Sequence, residues 1–476
     1  MPLSGSYDSV IVGSGPNGLA AAITLASAGK SVRVFEAGPV PGGCLKTDEG
    51  TLPGFLHDTC AAVFPMAVGT PFFESLPSHA FPVEWIVPPA ALAHPFDDGS
   101  CLLLSGSLEQ TMEALGDDGG TYGKYIGPFA SQWRELASEL LNPVFHIPRH
   151  IVSLLQFGIK GIWPVSLTAR HVFRTDKARA LFAGLGAHSI MPLEHPLTSA
   201  FALVMGASAH ATGWPIPRGG AGSTADALVS HLKSLGAEIT LSHPVGCLDE
   251  LPRCGTVFFD VSPKEILRIA RSRIPKLKTL QLERYRYGPG AFKLDWALSG
   301  PIPWEASGCS RAATVHVGGS YEEIALAERE VRQGVHPRRP FVLCAQPSLF
   351  DRTRAPEGKH TAWAYCHVPN GSQQDMTERI EAQIERFAPG FRKKILARRV
   401  LSPSGLEKLN ANLVGGDIAG GVNSLFRILF RPFVSAYPYS LGDGGLYICS
   451  SSSPPGGGVH GMCGYNAALS ALKKGR

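Results

Sequence analysis

The N-terminal stretch constrains the fold more than any other part of the chain. A short apolar run at residues 10–12 is typical of a buried parallel strand, and glycines follow it in the spacing G-x-G-x-x-G, at Gly13, Gly15 and Gly18. Gly13 permits a tight turn, Gly15 lets the backbone approach a pyrophosphate, and Gly18 lets the next helix pack against the strand. The pattern predicts a dinucleotide-binding unit.

The residues that follow complete this unit. Pro16 and Asn17 stand at the start of a helix predicted to run through residues 19–28, whose N-terminal amides face the phosphate charge. A second strand over residues 31–35 then ends at Glu36. An acid at this position accepts hydrogen bonds from both hydroxyls of an adenosine ribose and repels a 2′-phosphate.

A second glycine pair bears on which dinucleotide binds. Gly42 and Gly43 follow the ribose-binding acid, which indicates that the backbone crosses the phosphates a second time. This favours FAD over NAD. Nearly the whole chain follows the fingerprint, which also fits a flavoprotein whose distant segments wrap an elongated cofactor. The alternative is a glycine-rich βαβ unit that binds nothing.

The C-terminal segment is the second informative stretch. A strand over residues 445–450 leads into a glycine loop that opens a helix, and the cofactor residues predicted there are Gly457, Gly458, Val459, His460 and Met462. A flavin gains negative charge on reduction, and a helix N-terminus with close backbone amides stabilises that charge. His460 is the candidate catalytic residue, as a hydrogen-bond donor to reduced flavin or substrate. The alternative is a loop histidine bonded to backbone.

His57 and Asp58 end a short hairpin that leads out of the nucleotide-binding unit. They lie near the predicted phosphate-binding turn, where polar side chains could take part in a reaction. The simpler interpretation is a strand-end pair that satisfies backbone groups, and it is the one favoured here.

Strand patterns divide the chain into an α/β fold with two parts. Strands over residues 237–241 and 256–261 return to the nucleotide-binding unit, whereas residues 290–298, 341–346 and 360–367 alternate apolar and polar side chains, as in an antiparallel sheet with one wet face. We therefore predict a Rossmann-type FAD-binding domain with a parallel sheet and a substrate lobe built on a largely antiparallel sheet plus helices. The FAD-binding domain is predicted to comprise residues 1–60, 215–275 and 405–476, and the substrate-binding lobe residues 61–214 and 276–404.

Composition excludes several classes of function. The excess of Lys plus Arg over Asp plus Glu, 44 − 39 = 5, is spread along the chain, which argues against a nucleic-acid partner. None of the ten cysteines forms a C-x-x-C pair, so no metal site or dithiol chemistry is predicted, and most thiols are expected to be buried and inert. The first strand begins by residue 8, which leaves no room for a signal peptide and predicts a cytoplasmic protein.

The segment at residues 145–174 is unusually apolar. Gly158, Lys160, Gly161 and Pro164 interrupt it before it reaches the roughly 20 residues that a membrane span requires. With its flanking cations it could lie on a membrane surface as an interfacial anchor. The alternative is a buried helical pair in the substrate lobe.

Several motifs together resemble the phytoene-desaturase-like FAD oxidoreductases over nearly the whole chain. They are the N-terminal fingerprint with Glu36 and the glycine pair, the segment at 217–220, and the loop at 454–462. Residues 414–418 and 429–432 resemble the bacterial relatives of pyridine nucleotide-disulfide oxidoreductase domain-containing protein 2 within that family. The resemblance implies the FAD fold and a small-molecule, lipophilic substrate. It also implies that the backbone of Val245 meets the adenine and that residues 457–462 lie beside the isoalloxazine.

The leading interpretation is an FAD-dependent dehydrogenase or desaturase that takes a hydride from a substrate carbon. A flavin-dependent isomerase or monooxygenase is the alternative among enzymes. An escort protein that binds prenyl or lipid groups without catalysis is the alternative from a different class.

Overall fold

The computed structural model describes residues 5–143 and 145–474. The strands within these ranges are β1 (Ser6–Val12), β2 (Val32–Phe35), β3 (Thr47–Asp48), β4 (His57–Asp58), β5 (Trp85–Ile86), β6 (Ala90–Pro95), β7 (Cys101–Ser105), β8 (Ile216–Pro217), β9 (Glu238–Thr240), β10 (Arg253–Phe259), β11 (Gly290–Leu298), β12 (Ala312–Val317), β13 (Val342–Ala345), β14 (His360–Val368), β15 (Ile395–Leu401) and β16 (Leu446–Ile448).

The α-helices in the same ranges are α1 (Pro16–Ser27), α2 (Pro71–Ser75), α3 (Leu108–Ala114), α4 (Gly119–Ser131), α5 (Trp133–Leu140), α6 (Ile151–Gly161), α7 (Val165–Val172), α8 (Asp176–Ala187), α9 (Thr198–Ala211), α10 (Ala221–Ser234), α11 (Pro263–Ala270), α12 (Lys276–Glu283), α13 (Tyr321–Arg332), α14 (Thr377–Phe387), α15 (Pro403–Leu409), α16 (Leu425–Leu429) and α17 (Met462–Lys474). They include an uninterrupted run, α3 to α9, between β7 and β8.

A five-stranded parallel sheet forms the nucleotide-binding part, in the order β16-β10-β1-β2-β9. Its centre is β1, where Val10 faces Val257 of β10 and Arg33 of β2. The apolar run of β1 is fully buried, as a strand covered on both faces requires. These strands come from three separate parts of the chain, and their carboxyl ends meet at one edge. The predicted Rossmann-type sheet is confirmed, whereas the predicted domain boundaries stay a prediction.

A seven-stranded mixed sheet forms the second part, in the order β15-β11-β14-β13-β12-β6-β7. Every neighbouring pair is antiparallel except β12 and β6, so the predicted, largely antiparallel sheet is confirmed. The expected wet face is wrong for β11, because all nine of its residues are buried. Its polar residues Lys293 and Asp295 point into the interior, where they pair with each other and with other charged groups instead of with water.

The apolar segment forms two helices, α6 and α7, which bend by 91° at the break between them. Among the described residues no single helix is long and apolar enough to cross a membrane. The bent pair, taken together, has the length and the apolar composition of a candidate span. The alternative of a buried pair is wrong for α6, because Val152 and Leu155 on its outer face are exposed.

Candidate functional site

One cavity of about 940 Å³ runs from the carboxyl edge of the parallel sheet to the mixed sheet. Such a volume falls in the range of cofactor and ligand sites. Most of the predicted cofactor residues line it: Gly13, Gly15, Pro16, Asn17, Glu36, Gly43, Val245, Gly457, Gly458, Val459 and His460. The structure therefore brings together segments that lie more than 400 positions apart in the sequence. Their role in binding stays a prediction.

The remaining three predicted residues, Gly18, Gly42 and Met462, do not line the cavity but pack against the segments that do. A Cβ on Gly18 would overlap the carbonyl oxygen of Gly13, so this position keeps α1 against β1. The N–H of Gly42 donates to the carbonyl oxygen of Ser14 at 2.9 Å and ties the second glycine turn to the first. Met462 is buried at the start of α17.

The glycine turns form a cradle that side chains would fill. A Cβ on Gly15 would lie 2.5 Å from a carboxylate oxygen of Asp260, and one on Gly43 would lie 2.8 Å from the Cα of Gly15. Gly13 has φ +99°, a conformation that other residues rarely adopt. Bare backbone therefore faces the cavity at the N-terminus of α1, which is the arrangement that a pyrophosphate requires.

Glu36 lies at the end of β2 and its side chain reaches the cavity wall. One carboxylate oxygen accepts hydrogen bonds from the backbone and hydroxyl of Ser14, and the other accepts from the N–H of Gly38 at 2.8 Å. These bonds fix the carboxylate beside the glycine turns, where the ribose of a bound dinucleotide would lie.

Asp260 is a site residue that the sequence interpretation missed. It directly follows β10, as Glu36 directly follows β2, and its carboxylate accepts a hydrogen bond from the N–H of Gly18 at 2.8 Å. Burial raises the pKa of Asp260 well above its ordinary value. An acid at the end of a second strand of the same sheet was the signal that could have found it.

Val245 lies on the cavity wall with a buried side chain. Its carbonyl oxygen accepts a hydrogen bond from the guanidinium of Arg268 at 2.9 Å, so that oxygen already has a partner. The short connection from Val245 to β10 still places this backbone at the cavity. Its contact with an adenine stays a prediction.

A buried arginine holds the C-terminal glycine loop in place. The Arg431 guanidinium donates to carbonyl oxygens of Ala419, Gly421 and Val422, and to Ser451 on the loop itself. A Cβ on Gly456 would lie 2.7 Å from an Arg431 nitrogen. The segment at 429–432 thus shapes the cavity from outside, through backbone oxygens.

His460 lines the cavity but is itself almost fully buried. Its Nδ1 accepts a hydrogen bond from the N–H of Met462 at 3.0 Å, at the start of α17. Burial lowers the pKa of His460 to about 4, so the ring is neutral at pH 7 and its proton is on Nε2. The His460 ring therefore has a structural role at the start of α17. Its catalytic role stays a prediction.

Replacement of His460 by Ala separates the two roles. If the His460 imidazole also takes part in the reaction, His460→Ala should still bind FAD. It should shift the flavin reduction potential, or slow flavin reduction, because a neutral hydrogen-bond donor near the flavin is lost. A dye-coupled reductive titration with stopped-flow bleaching measures both quantities. His460→Asn, which keeps an acceptor for Met462, controls for the lost backbone bond. An unchanged potential and rate in both variants would leave His460 as scaffold.

A lysine on β11 brings a cation to the cavity wall. The Lys293 ammonium donates to the backbone oxygen of Asp58 at 3.0 Å and to the carboxylate of Asp295, and Arg399 binds the other oxygen of Asp295 at 2.9 Å. Lys293 also lies 5.8 Å from the ring centroid of Trp363. Because Trp363 and Tyr365 stack with centroids 5.9 Å apart and also line the cavity, this wall is aromatic and cationic.

His57 and Asp58 have structural partners, as the favoured interpretation expects. The Asp58 carboxylate binds Arg354 at 2.6 Å and the N–H of Ala221 at 2.7 Å, and both charged side chains are buried. His57 contacts the hydroxyl of Thr51 at 2.8 Å, and burial lowers its pKa to about 4. Asp58 thus joins the hairpin to the segment that carries Arg354, and His57 bonds within the hairpin.

Two thiols on the cavity wall depart from the expectation of buried, inert cysteines. Cys44 and Cys60 both line the cavity, and Asn410 donates to the sulfur of Cys44 at 3.3 Å. A hydrogen bond from Cys60 lowers the pKa of Cys44 and raises that of Cys60. β3 and β4 bring the two together, which sequence spacing alone did not indicate.

The fold and the cavity are of the class found in FAD-dependent oxidoreductases with a Rossmann-type domain. Residues 11–75 match the family model of the NAD(P)-binding Rossmann-like domain.

Individual relatives agree with this class. The chain is 26% identical to pyridine nucleotide-disulfide oxidoreductase domain-containing protein 2 of Rattus norvegicus, over 98% of this chain and 93% of the relative. It is 39% identical to hydroxyneurosporene desaturase of Rhodobacter capsulatus over 110 residues, which are 23% of this chain and 22% of the desaturase. The solved structure of a putrescine oxidase, 16% identical, aligns with a TM-score of 0.63 over 99% of both chains and shares the fold.

Proposed function

We propose that this protein is a dehydrogenase or desaturase that removes a hydride from a lipophilic substrate. One observation carries the proposal: the glycine cradle opens into the same cavity as a set of apolar side chains. These are Phe157, Ile190, Leu197, Phe201, Val204, Met205 and Trp214. A cofactor in the cradle and an apolar molecule against these side chains would therefore share one cavity.

The residues of the chain have separable tasks in such a reaction. The cradle and Glu36 would hold the ADP half of FAD, and FAD bound there supplies an acceptor for the hydride. The apolar side chains would bind the substrate and exclude water. Lys293 would hold a positive charge at the wall where the polar and apolar regions meet. The substrate would lose a hydride and would release a proton to solvent, and a double bond would form between the two carbons.

Support for the substrate class comes from the cavity and from the desaturase relative, whose name specifies a carotenoid. The proposal is tested by anaerobic bleaching of the bound flavin with a panel of reductants. We expect acyclic carotenoids or other polyenes to bleach the flavin and polar amines such as putrescine to leave it oxidised. Bleaching by amines alone would contradict the proposal, and a colourless protein that binds polyene would support the escort alternative.

Replacement of Lys293 by Met tests the wall cation. Met keeps the length of the side chain and removes the charge, so FAD should stay bound while its reduction by the same polyene slows by about tenfold or more, the equivalent of about 1.4 kcal/mol. Stopped-flow absorbance measures the rate. Lys408→Met, at an exposed lysine on the cavity wall, controls for the loss of a cation there. Equal rates in both variants and the parent would exclude a role for Lys293 in the reaction.

A further inference from the structure

The outer face of α6 reverses the pattern of an ordinary surface helix. Val152, Leu155 and Ile159 point outward and are 70%, 60% and 68% exposed, whereas Phe157 and Gly161 on the opposite side are buried. A surface helix of a soluble protein places its charged and polar residues outward. The exposed side of α6 is therefore suited to contact with an apolar surface and not with water.

The exposed apolar surface continues on both sides of α6. Ile147, before the helix, is 93% exposed, and Trp163, at the bend before α7, is 53% exposed. Exposed apolar patches larger than a few hundred Å² mark contacts with membranes or proteins. We name this surface the apolar face, and it comprises Phe145, Ile147, Ile151, Val152, Leu155, Ile159, Ile162, Trp163 and Leu167.

Within residues 140–175, which carry the apolar face, no side chain is acidic. Arg149, Arg170 and Arg174 in this interval are exposed. Basic residues beside exposed apolar and tryptophan side chains are typical of segments that lie in the interface of an anionic bilayer. A contact between two copies of such a face would bring like charges together, which argues against self-association.

Helix α6 also forms part of the cavity wall. Phe157, on the inner side of α6, lines the cavity, and Gly161 packs against Ala200, another lining residue. The ring of Phe145 lies 5.8 Å from that of Phe430, beside α16, where Phe426 is 55% exposed and Ile428 lines the cavity. The thickness of α6 thus separates the apolar face from the proposed substrate space.

We propose that the apolar face docks on the surface of an anionic lipid bilayer, with α6 lying in the interface and the cavity wall directly behind it. Docking follows from exposure and charge and is independent of the proposed function. Only the passage of lipophilic substrate from the bilayer past α6 into the cavity rests on that function.

The docking is tested by flotation of the full chain with vesicles of phosphatidylcholine, with and without phosphatidylglycerol. We expect flotation with phosphatidylglycerol vesicles that weakens at high salt, because salt screens the basic residues. Leu155→Ser with Ile159→Ser should weaken binding by about tenfold or more, since each substitution removes exposed apolar area that the bilayer would bury. Leu277→Ser with Leu326→Ser, two exposed leucines on α12 and α13, is the matched control and should float like the parent.

Flavin absorbance and light scattering accompany each sample. Equal flavin content in both double variants shows that neither has lost its fold, so a loss of flotation reports the apolar face alone. No flotation of the parent with phosphatidylglycerol vesicles would overturn the proposal. So would a dimer that dissociates in the Leu155 and Ile159 variant, because the face would then be covered by a second copy. A parent that floats while no polyene bleaches its flavin would retain docking and reject the proposed substrate.

Discussion

Replacement of Gly15 by Val should abolish FAD binding. A valine side chain would enter the place of the pyrophosphate, and its Cβ would already lie 2.5 Å from the Asp260 carboxylate. The purified variant should lack flavin absorbance, whereas the parent should be yellow. The ratio of flavin to protein absorbance measures the occupancy, and full occupancy in Gly15→Val would refute the assignment of the cradle.

Two further variants distinguish a specific loss of FAD binding from a loss of the fold. Gly120→Val, on α4, places a Cβ where no atom lies within 4 Å and should keep both fold and flavin. Glu36→Gln leaves every glycine in place but removes the charge and one of the two oxygens that accept hydrogen bonds, so FAD should bind roughly tenfold more weakly. Unchanged affinity in Glu36→Gln would remove Glu36 from the site.

Replacement of Asp58 by Ala should destabilise the fold by about 3–5 kcal/mol, because it leaves the buried Arg354 guanidinium without its counter-charge. The loss also removes the acceptor for the Ala221 N–H at the start of α10 and for the Thr47 hydroxyl. Urea unfolding followed by circular dichroism measures the free energy of unfolding.

The control is an ion pair of similar geometry on the surface. Lys177 and Asp98 approach to 2.8 Å, but their side chains are 45% and 56% exposed. Asp98→Ala should therefore change the free energy of unfolding by less than about 1 kcal/mol. Equal effects of the two substitutions would mean that the buried pair contributes nothing beyond a solvated one.

The parts of the fold that the sequence predicted are those fixed by local chemistry. The glycine spacing, the strand ending at Glu36 and the C-terminal glycine loop each require only neighbouring residues to be interpreted, and the structure places all three at one cavity. The parallel sheet followed from the same patterns.

The residues that the sequence missed depend on contacts between distant segments. Asp260 binds Gly18 across 242 positions, and Arg354 binds Asp58 across 296. Lys293 and Asp295 looked like the wet side of an alternating strand, because period-two alternation does not distinguish a solvated polar face from a buried one with charged partners. Such partners become visible only when the chain is folded.

The assembly of one cavity from three distant parts of the chain has a thermodynamic consequence. An unfolded chain has no such site, so FAD would bind the native state alone and every bound molecule would hold the N-terminal, central and C-terminal strands of the sheet together. Free FAD at a hundred times its dissociation constant would add about 2.7 kcal/mol to the stability of the native state. The supply of flavin in a cell would then set how much of this protein persists as well as how much of it is active.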